Sequence, residues 1–195
     1  SMREVVSTKV VSGVENGMAN IGIGASAQHE FFNNQYTAHN NGFLFEPVYT
    51  DHFCLCVRHD SPLAEKGIVD ISELGAEHLA VTDSHPASSV SSVGGVLKYA
   101  RRFSVFNNME VIKKAVLAEQ LVAILPRLSY FDDPLVDSGA LRLLELTGFE
   151  TELSNFLIIN QNVGLNTQEQ GIVALIREFY DELEQRELGG YVPEQ

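Results

Sequence analysis

Long apolar runs, positive charge and late histidines are all scarce in this chain, and each scarcity removes a class of function. No apolar run approaches the roughly 20 residues that a membrane-spanning helix needs, so no membrane partner is expected. Lysine and arginine total 13 against 26 aspartates and glutamates, a net charge of -13. That balance repels phosphate backbones and argues against a nucleic-acid surface on this chain, while keeping the protein soluble. The last of six histidines is His85. A hydrolase built on a G-x-S-x-G elbow needs its histidine base late in the chain, so "GASAQ" at 24–28 is not read as such an elbow. Gln28 also replaces the glycine that relieves crowding at that strained turn. Ser1-Met2 ahead of Arg3-Glu4 lacks a signal-peptide layout and reads as a cloning remnant on a trimmed chain.

Only two cysteines occur, Cys54 and Cys56 in "HFCLCVRH". On a strand both thiols point to one face, and residues two apart rarely meet disulfide geometry. Free thiols and a reducing, cytoplasmic compartment are therefore expected. His52 and His59 flank them, but metal ligands this close usually need a turn between them, as in C-x-x-C, so no metal is expected. Gly22-Ile23-Gly24 lacks the third glycine of a dinucleotide loop, with Ala27 in its place, and no cofactor is expected.

What the chain does contain is alternation of strands and helices. Val6, Val10 and Val14 share one helical face, and "NIGIGAS" follows as a short strand whose glycines let the backbone pass close to a neighbour. Residues 27–45 are rich in Asn, His and aromatics and read as a surface loop. "EPVYTDHFCLCVRHD" and "EHLAVTDS" read as strands, and "DISELG" between them as a one-turn helix boxed by Asp70 and Glu73. "VLKYARR" reads as helical. "SVFNNMEVIKKAVLAEQLVAILP" at 104–126 reads as strand, capped helix, strand, with Asn107 the cap, Glu110 completing a box and Lys113-Lys114 on a solvated face. Asp132-Asp133, Glu150 and Glu152 belong to turns around a strand at 140–146, and "SNFLIINQN" is a buried strand. A last helix carries Ile172, Leu175, Ile176, Phe179 and Leu183 as an apolar stripe, capped by Asn166 or Thr167. Such alternation predicts an α/β fold with parallel strands and crossover helices.

Two polar loops follow strands, Thr82–Ser89 and Phe106–Asn108. In parallel α/β sheets ligands gather outside the carboxyl ends of strands. Hydroxyls, amides and helix N-terminal N–H groups there suit a small polar or anionic ligand. No complete catalytic set is present, which favours binding over turnover.

"VFNNMEVIKKAVLAEQLVAILP" resembles a stretch of the effector-binding region of LysR-type transcriptional regulators, with Val116, Val122, Leu125 and Pro126 in register with that family's "V-x-x-G-x-G-I-x-x-L-P". "VVSTKVVSGVENGMANIGIG", "EPVYTDHFCLCVRHDSPLA", "DISELG", "DSGALRLLEL" and "FLIIN…NTQEQGIVALIREFYDEL" follow in the family's order, so the likeness runs from about residue 4 to 185. The resemblance implies an N-terminally truncated two-lobed fold like the type 2 periplasmic binding proteins. Lobe I would take residues 1–52 and 157–195, lobe II residues 53–156, and a small metabolite, a carboxylate being favoured by the helix start near Asn108, would sit between them. The residues it carries over as ligand contacts are Ser26, Thr82, Ser84, Pro86, Ser88, Asn107 and Asn108.

The resemblance further implies no catalysis, DNA contact only through a winged helix-turn-helix absent from this chain, and a homo-oligomer in the full-length regulator. Glu119 and Leu121 depart from the family's two glycines. Two other readings of the same fold are an extracytoplasmic solute-binding protein, which predicts a signal sequence upstream, and an enzyme, which needs a titratable constellation.

Overall fold

The computed structural model describes residues 2–3, 5, 9–27, 31, 34–35, 41–82, 99–119 and 121–190, with the side chains of 119 and 187–190 excepted. The chain forms two compact units, unit 1 comprising Ser1–Thr50 and Ser154–Gln195 and unit 2 comprising Asp51–Leu153.

Unit 1 holds helix α1 (Val10–Glu15), strand β1 (Ile21–Ala27), the first half of β2 (Phe43–Arg58), most of β8 (Glu152–Asn160) and the C-terminal helix α4 (Thr167–Gly190). β8 lies between β1 and β2. A Cβ on Gly22 would meet Val10, Val14 and Ile158, and one on Gly24 would meet the Phe156 ring at 2.7 Å. These two glycines admit α1 and β8 to the strand, as the sequence suggested. One sheet face buries Val10, Val14, Phe31, Phe43, Phe45, Phe156 and Ile158. Phe45 stacks on Phe156 at 4.4 Å between centroids and meets Phe31 at 5.1 Å. Phe31 and Phe43–Phe45 fall in the stretch expected to be a surface loop. Phe31, Phe43 and Phe45 are buried instead; β2 starts at Phe43 and turns every second residue, Phe43 and Phe45, inward, and Phe31 packs on Phe45.

Helix α4 is capped by Asn166, whose Oδ1 accepts from the Gln168 and Glu169 N–H groups, while Glu169 accepts from Asn166 N. Its buried face is Val173, Tyr180 and Leu183, with Ile176 partly covered. The expected stripe is largely outside: Ile172, Leu175 and Phe179 are 50%, 65% and 44% exposed. They form, with Ile23, Ile176 and Tyr180, a shallow apolar groove.

Unit 2 has a mixed sheet, not the parallel one expected. β4 (His78–Thr82) pairs in parallel with both β5 (Arg102–Phe106) and β6 (Val122–Pro126). The second half of β2 runs antiparallel to β6 and to β7 (Leu141–Thr147), and β7 pairs in parallel with the short β3 (Ile68–Asp70). The 104–126 stretch is the expected strand–helix–strand unit, with helix α2 (Met109–Glu119) between β5 and β6, which flank β4 on either side. Ile112, Ala115, Val116 and Leu121 of this unit bury against Cys54, Cys56, Ala80, Ala123 and Leu125. Small residues at 80 and 123 give the helix room. Leu121, just before β6, fills this core. Ile71–Ala76 is a 3-10 helix with the expected Asp70–Glu73 box. Of the helix expected over 96–102, no described residue is helical: Tyr99 is a turn, Ala100 irregular, Arg101 a bend, and Arg102 opens β5; residues 96–98 lie outside the described set. Helix α3 (Pro134–Asp137), capped by Asp133, precedes β7.

Candidate ligand site

In unit 2 the parallel register pairs Thr82 with Phe106. The carboxyl ends of β4 and β5 therefore lie side by side, and Thr82 is set next to the start of the Asn107–Asn108 turn. Thr82 is buried, whereas Asn107 and Asn108 are exposed. Ser84, Pro86 and Ser88 lie outside the described residues. Ser26 belongs to unit 1.

The cap of α2 is Asn108, one residue later than expected. Its Oδ1 accepts from Glu110 N at 2.8 Å and Val111 N at 3.2 Å, and its carbonyl accepts from Ile112 N. The shift puts Val111, which has no acceptor, three residues after the cap. No capping box can form there, and Asn107 is released from the capping role. It also means that two of the helix's first-turn donors are already taken by a side chain, so an anion binding there would have to displace Asn108. Donors at this turn include the side-chain amides of the two asparagines.

Glu110 is drawn elsewhere, to Lys113. Far from being solvated, Lys113 is buried, and its Nζ lies 2.7 Å from Asp133 Oδ2, 2.6 Å from Glu110 Oε1 and 5.3 Å from the centre of the Tyr130 ring. Burial is the largest single influence and works against both charges, but the partners together outweigh it, Asp133 and Glu110 on Lys113, and Lys113 with the Leu135 and Val136 N–H groups on Asp133, so the ammonium titrates above and the carboxyl below its ordinary range. Asp133 Oδ1 meanwhile accepts from Leu135 N at 2.8 Å. One carboxylate thus caps α3 and anchors α2 through Lys113.

Both cysteines are free and buried on one sheet face, as expected. Burial pushes the Cys54 thiol up to about 12 and the Cys56 thiol to about 11, so neither is a thiolate near neutrality. Among the described residues no three His, Cys, Asp or Glu side chains gather as a metal site, and no helix is long and apolar enough to cross a membrane.

In unit 1 the Ser26 hydroxyl is buried, the residue 8% exposed, and among the described residues it has no hydrogen-bond partner. Asn155 Nδ2 is a second such group. Sequence reasoning passed over Ser154 and Asn155, yet a polar pair inside the apolar run "ELSNFLIIN" was the available signal.

A family profile described as the LysR substrate binding domain matches residues 1–186, and the chain belongs to that family. It is a ligand-sensing regulatory domain of a LysR-type regulator, which decides against the solute-binding alternative. No curated protein matches. Among solved structures, the CcmR regulatory domain of Synechocystis in complex with 2-PG is 14% identical with a TM-score of 0.69, over 92% of this chain and 82% of that one. The effector binding domain of QuiR in complex with shikimate is 10% identical with a TM-score of 0.66, over 93% and 81%. The MetR regulatory domain of N. meningitidis is 17% identical with a TM-score of 0.64, over 86% and 73%. At these identities the likeness establishes the fold.

Proposed function

We propose that this domain senses a small polar metabolite without turning it over, within a cytoplasmic, homo-oligomeric regulator that contacts DNA through a separate domain. The observation that carries the reading is the side-by-side ending of β4 and β5, which brings Thr82 to the Asn107–Asn108 turn. Side-chain amides and a hydroxyl at the carboxyl ends of parallel strands recognise hydroxyl, carbonyl or carboxylate oxygens. Ser84, Pro86 and Ser88 in the same β4–β5 connection are proposed contacts too, as is Ser26 in unit 1. With α2's first turn capped from within, the asparagine amides rather than the helix terminus would meet a carboxylate. QuiR holds shikimate, an oxygen-rich molecule of the kind these groups would suit.

Such a ligand would act as a regulator by binding two conformational states of the protein with different affinity. A thermal-shift screen against small carboxylates and amino acids tests the reading, since a ligand of the folded state raises the melting temperature by mass action. Asn108→Ala and Thr82→Ala should lower the response to any hit. Unchanged responses in both would remove the site, and product formation from a hit would make the domain an enzyme.

A further inference from the structure

β8 runs antiparallel to β1, because the contact moves from Ile158 to Phe156 as β1 advances from Gly22 to Gly24, and Asn160 N donates to Asn20 O. Continuing that register sets Ser154 opposite Ser26, with both side chains on the face that carries Phe156 and Ile158. Both serines are buried. Among the described residues the Ser26 hydroxyl has no partner, and its strand passes the apolar cluster through Gly24, which faces the Phe156 ring. A buried hydroxyl left unpaired is destabilising, because its lost hydration is not replaced. Folded proteins keep such a cost mainly where something other than their own chain completes the bond.

We infer that Ser26 and Ser154 form a hydroxyl-lined subsite of unit 1 that takes a neutral oxygen of the ligand, a hydroxyl or a carbonyl. This rests on the ligand-sensing reading above and specifies the ligand's chemistry. A carboxylate does not suit this position, because two serine hydroxyls supply no counter-charge to a buried anion. Burying an anion without a counter-charge costs far more than two hydroxyl bonds return. A neutral oxygen meets no such penalty, and a serine hydroxyl can donate to it or accept from it. The ligand class is therefore a hydroxylated or keto acid rather than a simple one.

The test uses the whole chain, its Ser26→Ala and Ser154→Ala variants, and matched probes that differ by hydroxyl groups: lactate and propionate, malate and succinate, shikimate and benzoate. Without ligand, Ser26→Ala should raise the melting temperature by roughly 2–4 °C, because it removes an unpaired buried group. The wild-type chain should respond more to the hydroxylated member of whichever pair binds, with an affinity advantage of roughly tenfold that both variants abolish. A ligand-free Ser26→Ala that is no more stable than wild type overturns the subsite, since the hydroxyl then already holds a structural water. A pair that binds wild type and both variants with the same preference overturns the subsite alone and leaves the sensing role standing. No response of the wild-type chain to any pair overturns both.

Discussion

Helix α2 buries Ile112, Val116 and even the ammonium of Lys113, whereas α4 leaves Ile172, Leu175 and Phe179 largely in solvent. Both helices have an apolar stripe at helical spacing. The difference comes from what stands opposite. α2 crosses between two strands that flank a third, so a sheet lies under its whole inner face and small residues at 80 and 123 draw it close. α4 rests on β8 through Val173, and its apolar residues are more numerous than the surface beneath it can cover. Periodicity identifies a helix; the partner surface decides which residues are core.

The largest effect should come from the aromatic stack that gives unit 1 its core. Phe156→Ala removes a fully buried ring packed on Phe45 and Gly24 and should cost about 3–5 kcal/mol in urea unfolding. A loss below about 1 kcal/mol would mean that unit 1 is not held by this cluster.

Lys113→Met should follow, at about 3 kcal/mol, because it strands Asp133 in a buried site. The Lys113→Met, Asp133→Leu double variant should recover part of that loss, and a double variant as unstable as the single one would show that packing, not charge, is at stake. The same pair predicts a pH dependence. Asp133 has a depressed pKa, so its contribution is present above about pH 4, the ordinary aspartate value, and is lost as pH falls through the folded value. Lys113 has a raised pKa, so its share is complete below the ordinary lysine value and is lost only as pH rises through the folded value. Acid unfolding curves of wild type and Asp133→Leu should converge at low pH.

Asn108→Ala should cost about 1 kcal/mol through the lost cap, while Asn107→Ala should stay within about 0.5 kcal/mol. Equal effects at the two positions would undo the assignment of the cap. Smallest of all should be Leu175→Gln on the open side of α4, within about 0.5 kcal/mol. A larger loss would show that this face is covered in solution and that the contrast between the helices is weaker than it looks.

Much of this was legible in the sequence. The strand–helix–strand unit at 104–126, the Asp70–Glu73 box, the one-faced thiols and the tight glycines of β1 follow from local chemistry, which spacing reports directly. The misreadings share a different cause. Lys113 looked like surface because nothing near it in sequence marks Asp133, 20 residues on, as its partner. Phe31, Phe43 and Phe45 looked like loop because their neighbours are polar and their partner Phe156 lies far along the chain. The antiparallel half of the unit 2 sheet was missed because β2 enters it from another unit. For the site, the Thr82 and Asn107–Asn108 loops could be named from their position after strands, but no spacing in the sequence reveals that a hydroxyl at Ser26 is left unpaired. Long-range pairing is what a local pattern cannot encode.

The division of the chain also bears on how it is made. Unit 2 is one uninterrupted segment, Asp51–Leu153, while unit 1 is split between Ser1–Thr50 and Ser154–Gln195. During synthesis unit 2 has all its strands as soon as Leu153 has emerged, and can fold at once. Unit 1 must wait, with Phe43 and Phe45 exposed, until Phe156 and α4 arrive from the ribosome. Continuity alone lets unit 2 complete before unit 1.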